Sequence, residues 1–163
     1  MAREISVLMV CLGNICRSPM AEGVFRNLLQ EEGLDHRIRV DSAGTGSWHV
    51  GESPDLRSAR TAARHGIALE GSARQVQPGD FRDFDYIVAM DESNLENLER
   101  FREGADGEAS LHLLREFDPQ GGHGAEVPDP YYGGPGGFED VFEMVERSCR
   151  GLLDHILAEE RDG

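Results

Sequence analysis

The residues best equipped for chemistry lie close together in "VLMVCLGNICRSPMAE": Cys11, Cys16 and Arg17, with Ser18 directly behind. A thiol six positions ahead of an arginine, with Gly13 and Asn14 between them, suits nucleophilic attack on a bound oxyanion. Gly13 lets the backbone curl so that successive N–H groups face inward and form an anion nest. Those amides, the arginine and the start of a following helix all favour the thiolate form of Cys11. The same groups would bind a phosphoryl dianion against the sulfur. Leu12, Gly13, Asn14, Ile15, Cys16 and Ser18 are therefore the expected substrate cradle. Arg17 can hold two equatorial oxygens at once, which lysine cannot. Ser18 can donate to the sulfur when it becomes the leaving group. The loop is not that of an ATP-binding P-loop, which ends in Gly-Lys-Ser/Thr. The chain has no lysine at all.

An ester oxygen leaving phosphorus also needs a proton donor. "VPDPYYGG" supplies Asp129, whose aim is restricted by Pro128 and Pro130. In a chain this acidic a loop aspartate is by default a solvated turn residue. The adjacent Tyr131 and Tyr132 favour the functional reading, because an aromatic wall would suit a phenyl ring.

The elements that must position these residues alternate between strand and helix. "EISVLMV" (4–10) reads as a buried parallel strand, followed by a helix with Ser18 as cap and Pro19 in its first turn. A second strand spans 37–44, and a second helix, capped by Ser53 ahead of Pro54, ends at Gly66. A third strand covers 85–90. Asp91 caps a helix through residue 103, and a short fourth strand covers 111–114. Residues 119–137 read as loop. From Phe138 to about residue 160, apolar residues including Cys149 mark one face of a last helix. The expected architecture is a single α/β domain over 1–163. It is a three-layer sandwich with a four-stranded parallel sheet, and ligands bind at the carboxyl ends of its strands.

The totals narrow the function. There are 31 acidic residues against 16 basic ones, all arginine, and the formal net charge is −15. That composition argues against nucleic-acid or anionic-membrane partners. Three cysteines are too few for a disulfide framework, and the six histidines are scattered, so no metal or other cofactor is expected. The amino-terminal stretch lacks a cationic region and a cleavage site, so the expected location is cytoplasmic. The expected assembly is a monomer or weak homo-oligomer.

The sequence resembles the low-molecular-weight protein tyrosine phosphatases along essentially its whole length. "VCLGNICRSPMAE" resembles that family's phosphate-binding loop and "DPYYG" its general-acid loop. "RVDSAGT", "RHGI", "ARQV" and "FDYIVAMDESNL" follow in the expected order. The resemblance implies Cys11 as nucleophile, Arg17 as phosphate clamp and Asp129 as general acid. It implies that Asn14 and Ser42 support the loop, and that Trp48 and Tyr131 wall the substrate slot. The substrate would be a tyrosine-phosphorylated protein, tyrosine kinases included. One departure is Ser72 in "EGSARQ", where many relatives carry histidine beside the loop asparagine; Asn14 must then be held differently.

Three rival readings remain. An arsenate reductase of this fold needs a relay cysteine, and Cys149 falls on a core face. A protein-arginine phosphatase typically carries threonine where this chain has Ile15, and lacks the paired tyrosines. A phosphopeptide-binding module needs neither thiolate nor acid. Cys16, drawn toward Cys11 by the curled loop, is the expected redox partner of the nucleophile.

Overall fold

In the computed structural model, residues 4–122, 124–130 and 137–162 are described. Four strands form one all-parallel sheet in the order β2-β1-β3-β4. They are β1 (Ile5–Cys11), β2 (Ile38–Gly44), β3 (Tyr86–Ala89) and β4 (Ser110–Leu113). The helices are α1 (Arg17–Glu31), α2 (Leu56–Arg64), the single turn α3 (Asp80–Asp83), α4 (Glu92–Arg102) and α5 (Gly137–Asp162). A 3-10 turn over Leu114–Phe117 follows β4.

Every residue of β1 is buried, as its unbroken apolar run requires of a strand covered on both sides. Alternate residues serve different cores. Ile5, Val7, Met9 and Cys11 pack with Phe25 of α1 and with Phe142 and Val145 of α5. Leu8 and Val10 pack with Phe81 of α3 and Leu98 of α4 on the other face. Cys149 is fully buried in the first core, as its helical spacing predicts.

Two predicted caps move. Ser18 lies inside α1, whose cap position is Cys16 and has no side-chain hydrogen bond. The Ser18 hydroxyl is drawn instead to the sulfur and side chains of the preceding loop. In α2 the cap is Asp55, not Ser53: its carboxylate accepts from the Arg57 N–H. Asp91 does cap α4, with Asn94 completing a reciprocal pair. Because β1, β2 and β3 run parallel, their carboxyl ends deliver Cys11, Gly44 and Met90 to one edge of the sheet.

Candidate active site

The loop between β1 and α1 is held from the side by the segment after β2. The Thr45 and Gly46 N–H groups donate to the carbonyls of Cys11 and Leu12, each at 2.9 Å. A Cβ on Gly44 would stand 2.6 Å from the Leu12 oxygen, so only glycine admits the loop this close. On the far side, the Asp55 N–H donates to the Ile15 carbonyl at 2.7 Å, and the Ser58 hydroxyl to that of Cys16 at 3.0 Å. With its carbonyls tied outward, the loop is preformed.

Asn14 has a φ of 58°, the one left-handed non-glycine among the described residues. Such a conformation costs roughly 1–2 kcal/mol, least for asparagine. Its side chain offsets that cost. Nδ2 donates to Ser18 Oγ at 2.8 Å and to Ser42 Oγ at 3.0 Å, while Oδ1 accepts from the Arg74 N–H at 3.0 Å. The Ser42 hydroxyl donates in turn to Glu22 at 2.5 Å. The Arg74 backbone and two serines therefore hold Asn14.

This conformation aims the Asn14 N–H at Cys11 Sγ, 3.3 Å away, and Ser18 Oγ lies 3.0 Å from the same sulfur. Arg17 is only 3% exposed. Its Nη1 donates to Asp91 Oδ2 at 2.6 Å and to the Val127 carbonyl at 3.0 Å, and Nη2 lies 3.7 Å from Asp129 Oδ2. Burial alone would lower the guanidinium pKa. Cys11, Asp91 and Asp129 outweigh that and leave it raised.

A cavity of about 460 Å³ opens over these groups, lined by Cys11, Leu12, Gly13, Ile15, Cys16, Arg17, Trp48, His49 and Asp129. Trp48 is 72% exposed, and its ring lies over Gly46, where a Cβ would fall 2.0 Å from Cζ3. Ile15 and Cys16 pack beneath the loop with Ala73 and Phe138. Burial, then the Asp55 charge, pushes the Cys16 thiol up, well above the ordinary range. Tyr131 and Tyr132, expected in and beside the slot wall, lie outside the described residues. Among the described residues no cluster of His, Cys, Asp and Glu side chains could hold a metal ion.

The structure thus brings Cys11, Arg17 and Asp129 to one cavity, with Trp48 on its wall and Asn14, Ser18 and Ser42 behind the loop. Besides the Arg74 N–H and Glu22 behind Asn14, three groups at the cavity escaped the sequence reading. Asp91 was legible as a cap but not as the partner of Arg17, although it follows a strand that ends at the same sheet edge. The Val127 carbonyl carries no side-chain signal. His49 touches Gly13, whose Cβ would meet Cδ2 at 2.9 Å, and pairs with Glu52 at 3.0 Å.

The family model of the low molecular weight phosphotyrosine protein phosphatases matches residues 6–162. The low molecular weight protein-tyrosine-phosphatase of Streptomyces coelicolor is 49% identical over 148 residues, which cover 90% of each chain. The crystal structure of YfkJ from Bacillus subtilis superposes with a TM-score of 0.88 at 43% identity, covering 97% of this chain and 98% of that one. The structure of DARP, a Drosophila arginine phosphatase, gives 0.87 at 37% identity, covering 92% and 96%. By sequence over nearly its whole length and by fold, this chain belongs to the low molecular weight phosphotyrosine protein phosphatase family.

Proposed function

We propose that Cys11, Arg17 and Asp129 carry the two-step phosphoester hydrolysis of this tyrosine phosphatase. The Cys11 thiolate attacks phosphorus, an S–P bond forms and the P–O bond to the phenol breaks. Asp129, protonated, gives its proton to the departing phenolate oxygen. The Asp129 carboxylate then takes a proton from water as the water oxygen attacks phosphorus. The S–P bond breaks, its electron pair returns to sulfur, and the Ser18 hydroxyl donates to the restored thiolate. The loop N–H groups and Arg17 hold the equatorial oxygens through both steps.

The observation that carries this reading is the convergence on Cys11 Sγ. Two donors lie at 3.0 and 3.3 Å, while Arg17 and Asp129 line the same cavity. A phosphopeptide-binding module has no use for the sulfur or the acid. Ile15 on the cavity lining and Trp48 above it favour an aryl phosphate over phosphoarginine.

The reading takes a tyrosine-phosphorylated protein, tyrosine kinases included, as substrate. It places the enzyme in the cytoplasm, as a monomer or weak homo-oligomer. Three free thiols suit a reducing compartment. No helix among the described residues is long and apolar enough to cross a membrane.

Cys11→Ser should abolish turnover of p-nitrophenyl phosphate. Asp129→Ala should slow phenyl phosphate, with its poorer leaving group, far more than p-nitrophenyl phosphate. Equal losses on both substrates would remove Asp129 from the acid role. A wild-type preference for phosphoarginine over phosphotyrosine peptides would replace the substrate assignment.

A further inference from the structure

The peptide group between Glu126 and Val127 is gripped at both ends. Its carbonyl accepts from Arg115 Nη1 at 3.1 Å, and its N–H donates to the Met90 carbonyl at 2.8 Å. A peptide is planar, so two opposed hydrogen bonds fix the tilt of the whole unit. Asp129 lies two residues onward along a stiff path. Val127 precedes a proline and is confined to extended backbone, Pro128 has its φ locked, and Asp129 itself precedes Pro130. A tilt set at 126–127 is therefore carried to the Asp129 carboxyl with few soft torsions to absorb it.

Arg115 is itself anchored. Its Nε donates to Asp118 Oδ2 at 3.1 Å, and the Asp118 side chain is fully buried. Asp118 also accepts from Arg147 Nε at 3.0 Å, from Arg147 Nη2 at 3.2 Å and from the Gln120 N–H at 2.8 Å. Both carboxylate oxygens are thus saturated. Burial would raise this carboxyl's pKa, but the hydrogen bonds from Arg147, Gln120 and Arg115 hold it below the ordinary range. Asp118 stays charged, and Arg115 has one place to stand.

We propose that Arg115 is a positioning residue for the general acid, setting the aim of Asp129 through the Glu126–Val127 peptide. It touches neither substrate nor the reacting atoms. This inference rests on the assignment of Asp129 as the acid.

The test separates aim from simple stability. Arg115→Met removes both donors, while Arg115→Gln keeps one amide and serves if the methionine variant does not fold. Arg147→Ala is the control, because it weakens the Asp118 anchor but leaves the Arg115 bond to Glu126. Misaiming a catalytic group should cost about tenfold in kcat on phenyl phosphate and less than about threefold on p-nitrophenyl phosphate. Arg147→Ala should lower Tm without changing the ratio of the two rates. In an Asp129→Ala background, Arg115→Met should cost less than about twofold further on either substrate.

An unchanged ratio in the folded Arg115 variants, or a full additional loss in the Asp129→Ala background, would overturn the proposal. If Asp129→Ala alone leaves the ratio unmoved, the acid assignment has failed instead. If Asp129→Ala raises the ratio and Arg115→Met does not, only the positioning role is lost.

Discussion

Asp91 and Arg17 meet at 2.6 Å, Oδ2 to Nη1, while the other Asp91 oxygen accepts the Asn94 N–H at 2.8 Å and caps α4. One carboxylate thus fixes the Arg17 guanidinium and the start of a helix on the opposite face of the sheet. Asp91→Ala should lose about 1 kcal/mol through the cap alone. It also leaves a buried guanidinium short of one charged partner, which costs about 1.5–3 kcal/mol of stability, and with Arg17 less firmly placed kcat/KM should fall by roughly tenfold. Asp91→Asn keeps an acceptor for the cap and should recover stability more fully than activity. An alanine variant with lowered Tm but wild-type kcat/KM would reduce Asp91 to a cap.

The placement of Trp48 depends on the missing side chain of Gly46. A methyl group there would fall 2.0 Å from Cζ3, so Gly46→Ala should swing the exposed indole away from the cavity. KM for p-nitrophenyl phosphate should rise several-fold with kcat little changed, and Trp48→Ala should behave alike. Stability should shift by less than about 1 kcal/mol, because the ring is largely solvent-exposed. A fall in kcat at constant KM would mean that the loop, and not the wall, had moved.

Asp118 predicts an acid-sensitive stability. Its folded pKa is depressed, so its contribution is complete above the ordinary carboxylate value of about 3.9 and fades as pH falls through the lower folded value. Asp118→Asn leaves two arginines facing a neutral amide and should cost about 3 kcal/mol at neutral pH. Denaturant titrations of both proteins between neutral and about pH 2.5 should show that difference shrinking at the acid end. A constant difference would mean that the cost is steric.

Cys16 lines the same cavity as Cys11, and we expect it to act as a resolving thiol after peroxide oxidises the nucleophile. The step condenses the Cys11 sulfenic acid with the Cys16 thiol, forming an S–S bond and releasing water. Burial and Asp55 hold Cys16 protonated, so closure should be slow near neutrality and quicken as pH rises. Wild type should regain activity with dithiothreitol, and bound phosphate should slow its inactivation. Cys16→Ser should stay active but recover poorly. Equal recovery by the two proteins would leave Cys16 as packing.

The parts legible in the sequence were those written in local pattern. The buried run of β1 and the apolar face of α5 each follow from residues a few positions apart, whereas the left-handed turn expected at Gly13 falls on Asn14, and Gly13 instead leaves room for the His49 ring. The Cys11–Arg17 spacing and the proline-flanked Asp129 needed only the rule that parallel strands end at one edge. What stayed hidden was long-range or carried by backbone atoms. Ser18 looked like a cap because Ser-Pro usually marks one; its hydroxyl is claimed by Cys11 and Asn14, partners that appear only once the loop has curled. The Arg74 N–H that donates to Asn14 is a main-chain group, as is the Val127 carbonyl that accepts from Arg17. Neither leaves a mark on residue type.

The enclosure of Arg17 bears on how substrate arrives. The guanidinium is 3% exposed and shares its charge with Asp91 and Asp129, so a phosphoryl dianion at a distance meets the field of a protein with net charge −15 and little of the cation that will hold it. The net charge of −15 should therefore oppose the approach of a dianion at long range. Added salt, which shortens the Debye length to ~10 Å at 0.1 M, should weaken that repulsion and quicken association. An enzyme that draws its anions in through a basic surface responds to ionic strength with the opposite sign.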